Sequence, residues 1–268
     1  MKTIILILLL TATAFGQDLL LMDDEASTPS YSVETLAYID RVETDGGTVI
    51  NAAEVDLSYA LGLDMDSVIC WVSPAFGVKK DANDKCTKLY DLGNNDNDMA
   101  QADTSVAPTW YTDSLEFDGT NDYIKITFSG TQIQPNTIVM AMQNKEGTTN
   151  NFFWDGSEVG KRNALGVSTG NPSMYAGGSV DAGFTPALNT KYIISVDFNT
   201  TDSCWVNGAY SASGDAGATE ATGATLMNQH NTGEAKKGSA YEFFFHTNVS
   251  DTMRESVETI MNTRWSIY

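Results

Sequence analysis

The sequence predicts a mainly β protein: an antiparallel β-sandwich or jelly roll with a short helical N-terminal prefix and a C-terminal amphipathic helix. Three observations carry this expectation. Short apolar or alternating segments recur from residue 68 to about residue 245, separated by Gly, Asn, Asp and Pro signals. No parallel strand–helix–strand unit interrupts them. The last apolar residues, Met253, Val257, Ile260, Met261 and Trp265, then switch to helical spacing and form one stripe.

The elements follow in order. Lys2, the apolar run Ile4–Leu10, and small residues at Ala14 and Gly16 predict a signal peptide over residues 1–16, cleaved before Gln17. The run is shorter than the ~20 residues a membrane span needs, although retention of the segment as an anchor stays open. Residues 17–31 are polar and acidic and read as a linker. Residues 32–67 form the helical prefix. In it Val33, Leu36, Ala37 and Val42 mark one face, and Asn51 with Glu54 makes a capping box for a second helix that ends before Gly62.

From residue 68 to 268 the pattern is that of strands. Val68–Val72, the alternating Tyr123–Phe128, Ile138–Met142, Phe152–Trp154, Tyr192–Phe198, Cys204–Val206 and Tyr241–Phe245 are the candidates. Asn207–Gly208 between two of them is a type I′ hairpin signal. Ser250 or Asp251 caps the terminal helix, with Arg254, Glu255 and Glu258 expected to face outward.

Composition narrows the functional classes. The chain of 268 residues has 15 Lys+Arg against 35 Asp+Glu, a formal net charge of −20. No basic footprint exists to neutralise phosphates, so nucleic acid is not an expected partner. Three cysteines, Cys70, Cys86 and Cys204, cannot all pair. Cys70 and Cys86 can pair in an oxidising compartment, or all three are small buried hydrophobes. Two histidines and no Cys-x-x-C argue against a zinc site.

Two stretches resemble a known family. The first is Lys88–Asp98 with Ala107-Pro108-Thr109 and then Leu115–Ile124, which contains Phe117-Asp118-Gly119-Thr120-Asn121-Asp122-Tyr123. The second is Glu242–His246 followed by Asn248, Asp251, Arg254-Glu255 and Arg264-Trp265. Together they resemble the opening and closing segments of concanavalin A-like lectin/glucanase domains of laminin-G type, over residues 68–268. The prefix Ala37–Thr48 resembles the helical lead-in to such domains in phage virion proteins. The resemblance implies a jelly roll that binds glycans or proteins, or that hydrolyses glycans.

Three chemistries are candidates. The catalytic branch of the superfamily carries paired carboxylates on one strand face, as glycoside hydrolysis requires. Here Glu116 and Asp118 share a face, but Thr120 and Asn121 stand where the second Glu belongs, so catalysis is not expected. Calcium takes six to eight oxygen ligands. Asp91, Asn94, Asp96 and Asp98 concentrate such groups, and the resemblance adds Asp118 and Asp122. The bland alternative is that these residues hydrogen-bond their own backbone in Asx turns. For glycan binding, Trp154 beside Asp155, at a strand end, is the first stacking candidate and Tyr175 the second, while Trp205 and Trp265 read as core. The expected function is a non-catalytic surface or attachment module for a glycan or partner protein, secreted, on a cell surface or carried on a virion. A structural virion subunit without glycan binding is the alternative, and self-association is compatible with both.

Overall fold

The computed structural model describes residues 29–147, 151–231, 233–247 and 249–268. The expected leader, residues 1–16, and most of the linker, residues 17–31, lie outside them. Tyr31–Tyr268 forms one compact unit. In chain order it begins with α1 (Val33–Thr44), β1 (Thr48–Val49), α2 (Ala52–Tyr59), β2 (Val68–Val72), β3 (Gly77–Lys80) and β4 (Cys86–Leu89). Then come β5 (Met99–Ala100), β6 (Thr109–Tyr111), β7 (Ser114–Asp118), β8 (Ile124–Gln132), β9 (Asn136–Asn144) and β10 (Asn151–Asp155). The second half holds β11 (Ala164–Thr169), β12 (Asn171–Tyr175), β13 (Ser179–Asp181), β14 (Thr190–Phe198) and β15 (Asp202–Val206). It closes with β16 (Ala209–Gly214), β17 (Ala221–Leu226), β18 (Lys237–Thr247) and α3 (Asp251–Trp265).

The strands form two antiparallel sheets, as the sequence predicts. One runs β1-β3-β4-β5-β8-β17-β10-β11-β12-β13; the other runs β16-β15-β14-β9-β18-β7-β6, with β2 also paired to β18. Between the sheets lies the main core, to which β9 gives Ile138, Met140 and Met142, and β18 gives Phe243 and Phe245. The opposite faces of these strands are apolar too. Val139, Ala141, Ile193, Trp71 and Phe244 meet Tyr38, Val42 and Val55 of α1 and α2, and Val257, Met261 and Trp265 of α3. The result is three layers: sheet, sheet, helices. Near-continuous apolar runs such as Ile138–Met142 follow from burial on both faces.

Local chemistry sets the element ends. Asn51 and Ser250 cap α2 and α3 by accepting from Glu54 N and Met253 N. Asn207 (φ 51°) and Gly208 (φ 75°) form the β15–β16 turn with both central residues left-handed, as a type I′ turn demands. All three cysteines are free and buried, and burial pushes the Cys86 and Cys204 thiols up to about 12.

Two expectations about helix faces are corrected. In α1 the buried residues are Thr35, Tyr38 and Val42, whereas Val33 and Leu36 are exposed. Thr35 is drawn inward because its hydroxyl bonds Asp56 of α2 at 2.8 Å. In α3, Arg254 and Glu258 face the sheet. They pair at 2.6 Å, Glu258 accepts from Ser195 of β14 at 2.6 Å, and the Arg254 guanidinium lies 4.1 Å over the half-buried Trp205 ring. Their i,i+4 spacing, which suits an exposed pair, here satisfies two charges under a helix.

A β-bulge in β18 turns Tyr241 and Glu242 together toward the helices. Glu242 then accepts from Trp71 Nε1 (2.7 Å), Trp265 Nε1 (2.8 Å) and Arg264 NH1 (2.7 and 2.6 Å). Arg264 also donates to Glu54 of α2 (2.8 Å), so one buried carboxylate joins a sheet and two helices.

Candidate functional site

A second bulge, between Phe152 and Trp154 in β10, decides the candidate site. Plain alternation would place Phe152 and Trp154 on one face and Phe153 on the other. The extra residue lets Phe153 and Trp154 both enter the core, while Phe152 and Asp155 share the outer face. Trp154 is fully buried, so the expectation that it stacks on a ligand at a strand end is corrected.

Asp155 is also fully buried, but its role is to hold another residue. Its Oδ1 accepts from Arg162 Nε at 2.6 Å and Gly156 N at 2.7 Å, and its Oδ2 accepts from His230 N at 2.8 Å. His230 Nδ1 lies 3.1 Å from the same oxygen. Arg162 is thereby fixed with its guanidinium 5.0 Å from the Phe152 ring centre and 4.9 Å from the Tyr175 ring centre. Both rings engage the cation through their faces.

Cross-strand register explains how these side chains meet. Phe152 pairs with Gly166, Gly166 with Ser173, Ala164 with Tyr175, and Tyr175 with Ser179. Direct partners and i,i+2 residues share a face, so Phe152, Ser173, Tyr175 and Ser179 project together. Gly166 is required here: a Cβ would overlap the Phe152 ring lying across it. These residues, with Arg162 and Glu234, line an open cleft of about 270 Å³ at the β13 end of its sheet. Its chemistry is that of a small amphipathic ligand site: two aromatic rings, one fixed cation, one carboxylate and two hydroxyls.

Each of the four arginines in the chain lies over a ring and pairs with a carboxylate. Arg41, Arg254 and Arg264 tie helices to the sheets. Arg162 lines the cleft, and its NH2 is buried with no partner among the described residues.

The Asp and Asn residues expected around calcium serve the backbone and protein cations. Asp91 accepts from Trp71 N (2.6 Å), Gly93 N (2.9 Å) and Asn97 N (3.0 Å), and burial still pushes its carboxyl up to about 6. Asp98 pairs with Arg41 (3.0 Å) and Lys88 (2.8 Å), Asp96 with Arg41 (3.0 Å), and Asn94 donates to Asp66 (2.7 Å). Asp118 caps its own turn through Thr120 N (2.7 Å), while Asp122 accepts from Asp118 N (3.1 Å). Among the described residues no group of three or more His, Cys, Asp or Glu side chains is placed to hold a metal ion. Glu116 is held by Lys145 and Ser239.

No family model matches the chain. No curated protein matches it either. Solved structures do resemble its fold. The botulinum neurotoxin serotype D binding domain superimposes with a TM-score of 0.56 at 15% identity, over 75% of this chain and 52% of that one. Its ligand-binding domain in complex with N-acetylneuraminic acid gives 0.55 at 14%, again over 75% and 52%. Trypanosoma rangeli sialidase in complex with sialic acid gives 0.53 at 12%, over 74% and 33%. The chain thus spans about half the length of the neurotoxin domains. At such identities the likeness is one of fold: a β-sandwich of the jelly-roll kind.

Proposed function

We propose that this protein is a non-catalytic surface or attachment module that binds a glycan in the cleft between Arg162, Phe152, Tyr175 and Glu234. The observation that carries the reading is the clamped Arg162. A buried ion pair and two aromatic faces hold one guanidinium at a small open cleft, beside hydroxyl and carboxylate groups that suit a polyol. Tyr175 supplies the ring surface expected of the sequence, and Asp155 acts from beneath. Two structural neighbours, solved in complex with N-acetylneuraminic acid and sialic acid, agree with a glycan partner.

Binding without turnover is favoured because, among the described residues, Glu234 is the one carboxylate lining the cleft, whereas glycoside hydrolysis uses a pair about 5–9.5 Å apart. Export, or display on a virion, is proposed from the leader sequence and the prefix resemblance.

A glycan array probed with the wild type and with Tyr175→Ala tests the reading. Retained glycans that the variant loses at least about 10-fold are expected, since stacking contributes on the order of 1 kcal/mol or more and aligns the remaining hydrogen bonds. A wild-type protein that retains no glycan but assembles into particles would instead establish the structural virion subunit.

A further inference from the structure

Resting on the glycan-binding reading, we infer that the cleft selects a sugar bearing one carboxylate, held by the free edge of Arg162.

The guanidinium has five N–H donors in a planar fork. One edge is committed, because Nε donates to Asp155. The rings of Phe152 and Tyr175 lie within 5.0 and 4.9 Å of its central carbon. What remains is the NH1–NH2 end of the fork: NH2 is buried with no partner among the described residues, and NH1 is not among the closed-off atoms. The side chain is 12% exposed, so its donors are poorly hydrated. An unpartnered, desolvated donor is a cost that an arriving acceptor removes. A carboxylate matches the fork best, and its charge-assisted bonds strengthen where water is excluded.

The rest of the cleft defines what must accompany the carboxylate. Glu234 lines the same space and repels a bare anion, but it accepts hydrogen bonds from hydroxyl or amide donors. Ser173 and Ser179 add hydroxyls that donate or accept. A ligand with one carboxylate among several hydroxyls meets every one of these groups. Acetate or an acidic peptide side chain brings the anion but no donors for Glu234. A polyanion would meet the field of a chain with a net charge of −20. A single uronic or nonulosonic acid unit at the end of a glycan fits the volume and the charge.

The test compares ligands that differ only at the carboxyl group. Titration calorimetry or ligand-observed NMR would measure D-glucuronate, its methyl ester and D-glucose against the wild-type chain, with N-acetylneuraminic acid and its methyl ester as a second pair. At least one acid is expected to bind about 10-fold or more tightly than its ester, as a desolvated bidentate pair provides. Arg162→Lys should erase most of that preference, because a point charge cannot form the fork. Tyr175→Leu leaves the Arg162–Asp155 pair intact and should weaken the acid about 3-fold or more by rehydrating the guanidinium. Glu234→Gln should strengthen the acid relative to the ester. Equal binding of acid and ester overturns this inference while leaving the glycan-binding reading standing. Absence of binding by any sugar, on the array as in solution, overturns both. An N-acetyl-aspartyl peptide that binds as tightly as the best acid, with the same dependence on Arg162, would assign the cleft to a protein carboxylate and overturn the sugar.

Discussion

Removing the carboxylate of Glu242 should destabilise the fold more than any substitution at the cleft. In Glu242→Leu the Arg264 guanidinium, 4% exposed, loses its bidentate partner and keeps Glu54 and Ser58. The indole N–H groups of Trp71 and Trp265 lose their acceptor in the core beneath α3. Breaking a buried ion pair from one side costs about 3–5 kcal/mol. Each orphaned indole N–H would add about 1–3 kcal/mol if it stayed dry. Relaxation of α3 admits water and limits the sum, so an effect near 5 kcal/mol is expected. Urea unfolding followed by tryptophan fluorescence reads this directly, since Trp71 and Trp265 flank the lost group. With a slope of ~3 kcal/mol per M for a chain of this size, the midpoint should fall by about 1.5 M. The double variant Glu242→Leu/Arg264→Met removes the stranded charge as well and should regain the ion-pair share of the loss but not that of the two indole N–H groups, because an apolar replacement of a whole buried pair is close to neutral. A midpoint shift below about 0.3 M for Glu242→Leu, or a double variant no more stable than the single one, would refute the account.

Other predictions concern buried charge and the cleft. Lys236 is fully buried, its Nζ has no hydrogen-bond partner among the described residues, and burial pushes its pKa down to about 8. The folded state therefore binds this proton less well than the unfolded chain, and native stability rises with pH between about 8 and the unfolded value near 10.4. Lys236→Met should thus stabilise the fold at pH 7 by about 1–3 kcal/mol and lose that advantage above about pH 10.5; urea midpoints at both pH values check it, and an equal difference at the two rules it out. Gly166→Ala should push Phe152 off the guanidinium and weaken glycan binding by about 5-fold while costing under ~1.5 kcal/mol of stability, since the displaced ring lies at the surface. Unchanged affinity in calorimetry would show that the ring has no part in the site. Asp155→Asn should lower both stability and affinity, by about 2–4 kcal/mol and more than 10-fold, because Arg162 loses its counter-charge and one of the two accepting oxygens becomes a donor; retained affinity would show that the counter-charge has no part in holding Arg162.

Much of the fold was legible in the sequence because its signals are local. The caps at Asn51 and Ser250 and the Asn207–Gly208 hairpin each depend on a few adjacent residues, and the structure shows them where expected. Strand positions followed from apolar runs, and buried Trp265 from the helical stripe. Side-chain direction was less legible, because a bulge is a property of two strands together. Phe152-Phe153-Trp154 carries no mark of the extra residue that turns Trp154 inward, and the pair at Arg254 and Glu258 reads the same whether the helix face is wet or covered. The cleft was half visible. Tyr175 and Asp155 stand out by type and setting, whereas Arg162 belongs to no motif. Two signals could have found it: Gly166 inside a strand, which marks a close approach, and the scarcity of arginine in an acidic chain, which makes each guanidinium a candidate for a specific ring or carboxylate.

The strand order has a consequence for how the protein is mounted. Helix α1 leads into β1 beside β3, whereas Arg162 and its rings sit by β11 and β12. Seven to eight strand spacings of ~4.8 Å separate these stations, about 35 Å of sheet. The α1–β1 edge and the Arg162 cleft therefore lie toward opposite margins of one sheet. A macromolecule seated on the α1–β1 edge would leave the cleft clear, as a hand is held away from the shoulder.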